Sequence, residues 1–157
     1  MVKEGLIEQL KASAEFFERS TRCLDEGDSG FVPADGVFSV VNQVAHTAQT
    51  VEWFMSGMFN DDGFDLDFEK HEREMKSCTS LSEARKWFER AMQDAISQID
   101  ARTDEEVLSP LPEGPILGGA PRTAIVGAIM DHTAHHRGAL TVYSRLLGKT
   151  PLMPYAE

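Results

Sequence analysis

The sequence predicts an all-α fold, a four-helix bundle, from three observations. Apolar residues recur at steps of three and four in four long segments, which is the spacing of one helix face. No stretch alternates apolar and polar residues as a half-buried strand would. Residues that cap or break helices separate the four segments. Four amphipathic helices bury their apolar faces by packing against one another as a bundle.

The first two segments lie in the N-terminal half of the chain. The first covers residues 4–24 and is followed by a turn at 26–30 that contains two glycines. The second begins near Ser39, whose hydroxyl suits the N-cap position, and ends at the Asn-Asp-Asp-Gly stretch 60–63. Residues 64–78 show no clear periodicity and receive no assignment. A long connection between the second and third helices is therefore predicted.

A second long connection separates the last two segments. The third begins at Ser80, which forms a capping-box pattern with Glu83. Residues 108–121 contain four prolines and three glycines and are predicted to form a loop. The fourth segment begins near Thr123 and ends before Gly148, a residue type typical of the position just after a helix.

Length and charge limit the function classes. The 157 residues suit one domain, predicted to cover residues 1–157. The net charge of −11 repels phosphate backbones, and no basic cluster offsets it, so nucleic acid is excluded as a partner. The longest apolar stretch, 124–130, is far shorter than the ~20 residues of a membrane span. Because the N-terminus lacks the apolar core of a signal peptide, a cytoplasmic protein is expected.

Two histidines of the fourth segment occupy positions that its apolar pattern reserves for the core. The inward stripe is Ile125, Ile129, His132, His136, Leu140, Tyr143 and Leu147. Because His132 and His136 are four residues apart, both imidazoles can reach a common point on one helix face. Buried imidazole nitrogens need partners, and a divalent metal ion would satisfy both. The alternative is a pair of partly exposed histidines that hydrogen-bond to their neighbours.

The neighbouring His135 permits a different ligand pair. It lies three residues after His132 and so faces a similar direction. His136 is preferred because it belongs to the apolar stripe, whereas His135 lies towards the edge of that stripe.

The second segment offers a third ligand in His46. The residues around it on the helix surface are polar or amphipathic and could line a cavity or face solvent: Asn42, Gln43, Gln49, Thr50 and Trp53. Three histidines from two helices leave a coordination position open, as in catalytic rather than structural zinc sites. His71 lies in a run of charges at 69–73 and is interpreted as a surface residue without a role.

Two sequence stretches resemble the DinB/YfiT-like superfamily of small metal-binding four-helix proteins. They are Asn-Gln-Val-Ala-His at 42–46, with Trp53 seven residues after the histidine, and Asp-His-Thr-Ala-His-His-Arg-Gly at 131–138. The resemblance covers nearly the whole chain. It implies metal ligands at His46, His132 and His136 and a homodimer. It also implies an activity, because some members are transferases or isomerases that use bacillithiol, mycothiol or glutathione.

The resulting functional prediction is a metal-dependent transferase that joins a low-molecular-weight thiol to an electrophilic substrate. A metal ion with three neutral ligands favours an anionic fourth ligand and so lowers the pKa of a coordinated thiol or water. Zn²⁺ is the expected ion, with nickel and iron as alternatives. The alternatives in function are a non-enzymatic metal-binding or stress-response protein, a metal-dependent hydrolase, and a metal-free helical interaction module.

Three further residues are candidates for the substrate pocket. They are Glu52, Trp53 and Tyr143. Each has a structural alternative, since the two aromatic residues could belong to the core and Glu52 could be a surface charge. A dimer interface is also suggested by apolar residues of the first segment that extend beyond one stripe: Leu6, Ile7, Phe16 and Phe17.

Overall fold

The computed structural model describes residues 1–156, and its helices confirm the predicted all-α class. In chain order they are α1 (Val2–Thr21), α2 (Val40–Phe59), α3 (Phe68–Ser77), α4 (Leu81–Asp100), α5 (Asp104–Leu108) and α6 (Thr123–Leu146). The four long helices α1, α2, α4 and α6 correspond to the four predicted segments. The two short helices lie in or beside the predicted long connections.

Helix α3 was not assigned from the sequence, and its composition explains why. Only Met75 is buried, so the segment carries almost no apolar stripe. Its start is marked by Asp67, whose carboxylate accepts a hydrogen bond from the Lys70 backbone N–H at 3.0 Å. The helix packs against α2, and this contact places it beside the histidines of the bundle.

The long helices surround one hydrophobic core. Helix α1 packs against α4 and α6, and α2 packs against the same two helices. Helices α1 and α2 therefore lie at opposite corners of the bundle, joined by residues 22–39. None of the helices in residues 1–156 is both long enough and apolar enough to cross a membrane.

The predicted helix ends are confirmed at three places. The Ser39 hydroxyl accepts a hydrogen bond from the Asn42 backbone N–H at 3.2 Å, and the Ser80 hydroxyl accepts one from the Glu83 N–H at 3.3 Å. At the end of α6, Gly148 has a φ of 75°, a left-handed conformation that glycine adopts without steric cost.

The apolar width of α1 is explained by contacts within the chain. Leu6 and Phe17 are buried in the core, and Ile7 packs against it. The Phe16 ring contacts Tyr155 edge-on, with 5.0 Å between ring centroids. These residues therefore have partners without a second copy of the protein.

Candidate metal centre

Three histidines meet between α2 and α6. The Nε2 atom of His132 lies 3.2 Å from Nε2 of His46 and 3.1 Å from Nε2 of His136. The potential ligand atoms of all three residues lie within 4.8 Å of one another. The three side chains predicted from the sequence as ligands are therefore brought together at one point.

Helix geometry accounts for this convergence. His132 and His136 are one turn apart on α6, and their ring centroids are 4.4 Å apart. Because α2 packs against α6, His46 reaches both rings from the opposite side, with centroid distances of 4.9 and 4.8 Å. His136 is buried, and the other two rings are partly accessible.

A chain of hydrogen bonds fixes the orientation of His136. Its Nδ1–H donates to Oε1 of Gln43. The Gln43 amide N–H donates to the Tyr143 hydroxyl at 3.1 Å, and that hydroxyl donates to the Phe38 carbonyl at 2.9 Å. With its proton on Nδ1, His136 presents the lone pair of Nε2 to the other two histidines. Such partners commonly fix the tautomer and ring orientation of metal-binding histidines.

The environment keeps all three imidazoles neutral at physiological pH. Burial, with smaller contributions from the neighbouring histidines, lowers the pKa of His132 to about 4 and that of His136 to about 3. Burial also lowers the pKa of His46, with a smaller contribution from His135. Neutral imidazole is the form that binds a metal ion.

The arrangement of donors fits a divalent metal ion. Two imidazole lone pairs that face each other repel, and a cation between them removes this repulsion. A tetrahedral zinc with Zn–N bonds of ~2.05 Å separates its nitrogen ligands by about 3.3 Å. The Nε2 separations of 3.1 and 3.2 Å at His132 are close to this value. The cluster therefore supports a site for a divalent metal ion, without identifying which ion.

Comparison with known proteins agrees with the geometry. The sequence matches the model of the DinB family over residues 7–157. The chain belongs to the DinB family. No curated protein was found to match the sequence. Membership of the DinB family over nearly the full length confirms the resemblance inferred from residues 42–46 and 131–138.

In this DinB-family protein an open cleft of about 240 Å³ adjoins the histidines. Its lining residues come from α2, α3 and α6: His46, Gln49, Thr50, Trp53, Phe54, Phe68, His71 and His132. The polar strip predicted around His46 thus lines a cavity along part of its length. Its buried member Gln43 lies beneath the histidines, where it supports His136.

The three candidate pocket residues have different positions. Trp53 lines the cleft, because seven residues are about two helical turns and place it on the same face as His46. Glu52 does not line the cleft, since it is about 120° away around the helix. Glu52 lies at the helix surface, where loss of hydration raises the pKa of its carboxyl group. Tyr143 is buried and acts through Gln43 rather than as a wall of the cleft.

Sequence reasoning missed the position of His71. The ring is partly buried in the wall of the cleft, and its Nε2 lies 3.3 Å from the Asp65 carbonyl oxygen and 3.5 Å from Oδ2 of the same residue. The surrounding charges at 69–73 suggested a surface segment. His71 reaches the site because α3 packs on α2. In the sequence this packing is indicated only by Met75, the one buried residue of α3. His135 is exposed, and it is not part of the three-histidine cluster.

Proposed function

We propose that this protein is a metal-dependent transferase that joins a low-molecular-weight thiol to an electrophilic substrate. The observation that carries the proposal is the cluster of three histidine nitrogens at the end of an open cleft. Within residues 1–156, no fourth histidine, cysteine or carboxylate joins this cluster. Three protein ligands with one free position are typical of catalytic zinc sites, whereas structural sites have four.

The residues of the chain have distinct roles in this proposal. His46, His132 and His136 hold the ion, for which Zn²⁺ is the first choice, and Gln43 keeps the lone pair of His136 directed at it. When bound, such an ion supplies positive charge that lowers the pKa of a thiol and makes the sulfur nucleophilic near neutral pH. The aromatic residues of the cleft exclude water from the electrophile. The thiol belongs to the bacillithiol, mycothiol or glutathione type, as the family resemblance implies.

The proposed transfer is a substitution at an electrophilic carbon. A bond forms between the thiol sulfur and that carbon, and the thiol proton is released to water. The displaced group leaves with the electron pair of its former bond. No oxidant or reductant is required.

The proposal is tested with a matched pair of histidine variants. Purified protein is loaded with Zn²⁺, its metal content is measured, and thiol conjugation to 1-chloro-2,4-dinitrobenzene is assayed with each thiol type. We expect His136→Ala to lose both the metal and the conjugation, and His135→Ala to retain both, because only His136 belongs to the cluster. Conjugation that continues unchanged in His136→Ala would contradict the proposed function.

We also propose a homodimer, supported by the family resemblance. The apolar residues of α1 no longer support it, because they are packed within the chain. Light scattering at micromolar concentration tests this part separately, and a monomer mass would contradict it.

A further inference from the structure

The cleft beside the histidines is small. Its volume of about 240 Å³ is below the ~300–1,000 Å³ of pockets that enclose drug-sized ligands. At roughly 30 Å³ per water molecule, it holds the space of about eight waters. A group the size of one aromatic ring with a short substituent fits this space, and an entire tripeptide does not.

The surface that the wall of the cleft exposes is almost entirely apolar. None of its lining residues is a lysine, arginine, aspartate or glutamate. Two polar groups of the wall are bonded to residues outside the cleft. The Trp53 indole N–H donates to the Asp65 carbonyl at 2.7 Å, and the Gln49 amide donates to the Glu74 carboxylate at 3.2 Å. An anionic group that enters this cleft loses part of its hydration, and no lysine or arginine of the wall compensates for that loss.

Three aromatic side chains, Trp53, Phe54 and Phe68, line the cleft. The Trp53 ring lies 5.0 Å from Phe54 and 6.1 Å from Phe68, measured between centroids. Phe64 packs against Trp53 at 4.8 Å and fixes the indole in place. Phe68 is 58 % exposed, an unusual exposure for phenylalanine. Rings arranged in this way offer faces and edges to another ring, which adds to the gain from apolar burial.

We propose that this cleft binds the electrophilic substrate through a small, uncharged aromatic group. This inference rests on the proposed function and deepens it by naming the substrate class. Glutathione and bacillithiol carry carboxylates that no lysine or arginine of the wall offsets, and mycothiol is too large for this space, so the structure assigns the cleft to the electrophile. The reactive carbon lies next to the aromatic group, at the end of the cleft where His46 and His132 are located.

The test is a binding titration followed by NMR through the Trp53 indole N–H signal, which a Trp87→Phe variant identifies. The probes are benzyl alcohol and its carboxylate analogue 4-(hydroxymethyl)benzoate. About 0.15 M salt is used, where the Debye length of about 8 Å screens the net negative charge. We expect benzyl alcohol to shift the Trp53 signal and to bind at least about tenfold more tightly than the carboxylate. Equal affinities, or no shift of Trp53, would overturn the inference.

Two aromatic residues of similar exposure provide a matched pair of variants. Phe68 lines the cleft, whereas Tyr155, 63 % exposed, lies against α1 at Phe16. Phe68→Ala should weaken benzyl alcohol binding about threefold to tenfold, and Tyr155→Ala should leave it unchanged. If Phe68→Ala has no effect, or if both variants have the same effect, the cleft is not the binding site.

The same titration is performed on Zn²⁺-loaded and metal-free protein, which separates this inference from the proposed function. If the protein takes up no Zn²⁺, the proposed function is contradicted. The titration of the metal-free protein with benzyl alcohol still tests whether the cleft binds an uncharged aromatic group. The two probes are compared on the metal-free protein, because bound Zn²⁺ would itself attract the carboxylate. A protein that takes up Zn²⁺ but whose metal-free form does not distinguish the two probes contradicts only the inference.

Discussion

The groove between α1 and α4 and the smaller cleft at the histidines differ in chemistry more than in size. The groove has a volume of about 700 Å³, almost three times the volume of the 240 Å³ cleft. Its charged residues are engaged with one another or with the backbone. Arg22 pairs with Glu18 at 2.6 Å, and Arg85 donates to the Thr21 carbonyl at 2.6 Å and the Leu24 carbonyl at 3.2 Å.

The Nε2 atoms of the three histidines face one another, and none of them bonds to a residue outside the cluster within the described part of the chain. The nearest polar neighbours of Nε2 of His132 are the Nε2 atoms of His46 and His136, and all three rings are neutral near pH 7. The groove could bury the apolar surface of a ligand, but its lining residues do not direct a set of metal-binding lone pairs at one point. The comparison teaches that lone pairs directed at one point identify the candidate site, whereas volume alone would have selected the groove.

Among the predicted effects on the cleft, the largest should be the loss of Zn²⁺ affinity when one histidine of the cluster is removed. His136→Ala removes a ligand, so we expect Zn²⁺ affinity to fall by more than about 100-fold, the upper range for loss of a residue that only supports a ligand. His135→Ala should change the affinity little, because that side chain is exposed and outside the cluster. Competition titration with a chromophoric chelator measures both affinities. Equal losses in the two variants would mean that the cluster is not the metal site.

Loss of the support for His136 should have the next largest effect. Gln43→Leu leaves all three imidazoles but removes the acceptor of the His136 Nδ1–H bond. We expect Zn²⁺ affinity to fall about 10- to 100-fold. Gln49→Leu is the control, because Gln49 is equally buried on α2 but bonds to Glu74 instead. The same chelator titration applies, and an unchanged affinity in Gln43→Leu would show that the hydrogen-bond chain does not support the site.

Acidification of the metal-free protein should weaken the fold through the same histidines. Burial lowers the pKa of His132 to about 4 and of His136 to about 3, while both titrate near 6.5 in the unfolded chain. Between these values the unfolded state binds more protons, so stability is complete above about pH 6.5 and falls as the pH decreases. We expect the two histidines together to lower the free energy of unfolding by about 3–4 kcal/mol between about pH 7 and pH 5, measured by urea unfolding.

A double variant separates this contribution from other acid-sensitive groups. His132→Gln with His136→Gln should flatten the pH dependence in this range, because glutamine does not titrate. The exposed His135, changed to glutamine, should leave the dependence as it is in the wild type. A double variant that is as acid-sensitive as the wild type would contradict the assignment to these two residues.

The sequence predicted the long helices and the pairing of His132 with His136 because both depend on helical phase, whereas His46 became the third predicted ligand through the family resemblance. His132 and His136 lie in the apolar stripe of α6, and this position alone predicted their inward direction. Phase could also have separated Trp53 from Glu52, since only Trp53 shares a face with His46. Features that depend on which helices are neighbours could not be predicted in this way.

Gln43 and His71 illustrate that limit. The role of Gln43 depends on contact with His136, which is 93 positions later in the chain. The position of His71 in the cleft depends on α3 packing on α2 through few apolar contacts. The periodicity of one segment carries no information about its neighbours in space. Both residues therefore became visible only when the helices were placed together.

A pair of glycine substitutions should change the free energy of unfolding least among these predictions. The pair tests whether the aromatic wall of the cleft is held in a fixed position. Gly57 lies on α2 where a Cβ atom would overlap the Phe64 ring, and Phe64 supports Trp53. Gly57→Ala should therefore destabilise the fold by about 1–2 kcal/mol and move the Trp53 indole. Gly127→Ala is the control, because its Cβ would meet nothing within 4 Å on the exposed side of α6. It should stabilise the fold by about 0.5–1 kcal/mol through lower backbone entropy in the unfolded chain.

Thermal unfolding gives the two free-energy changes, and near-ultraviolet circular dichroism follows the Trp53 environment. We expect Gly57→Ala to lower the free energy of unfolding and Gly127→Ala to raise it, and only Gly57→Ala to change the spectrum. This result would show that close packing of Phe64 on α2 shapes the cleft. The groove between α1 and α4 lies on other helix faces and contains neither Gly57 nor Phe64. Stabilisation by both substitutions would mean that Phe64 moves aside at no cost, and the cleft would then lack the fixed aromatic wall that distinguishes it from the groove.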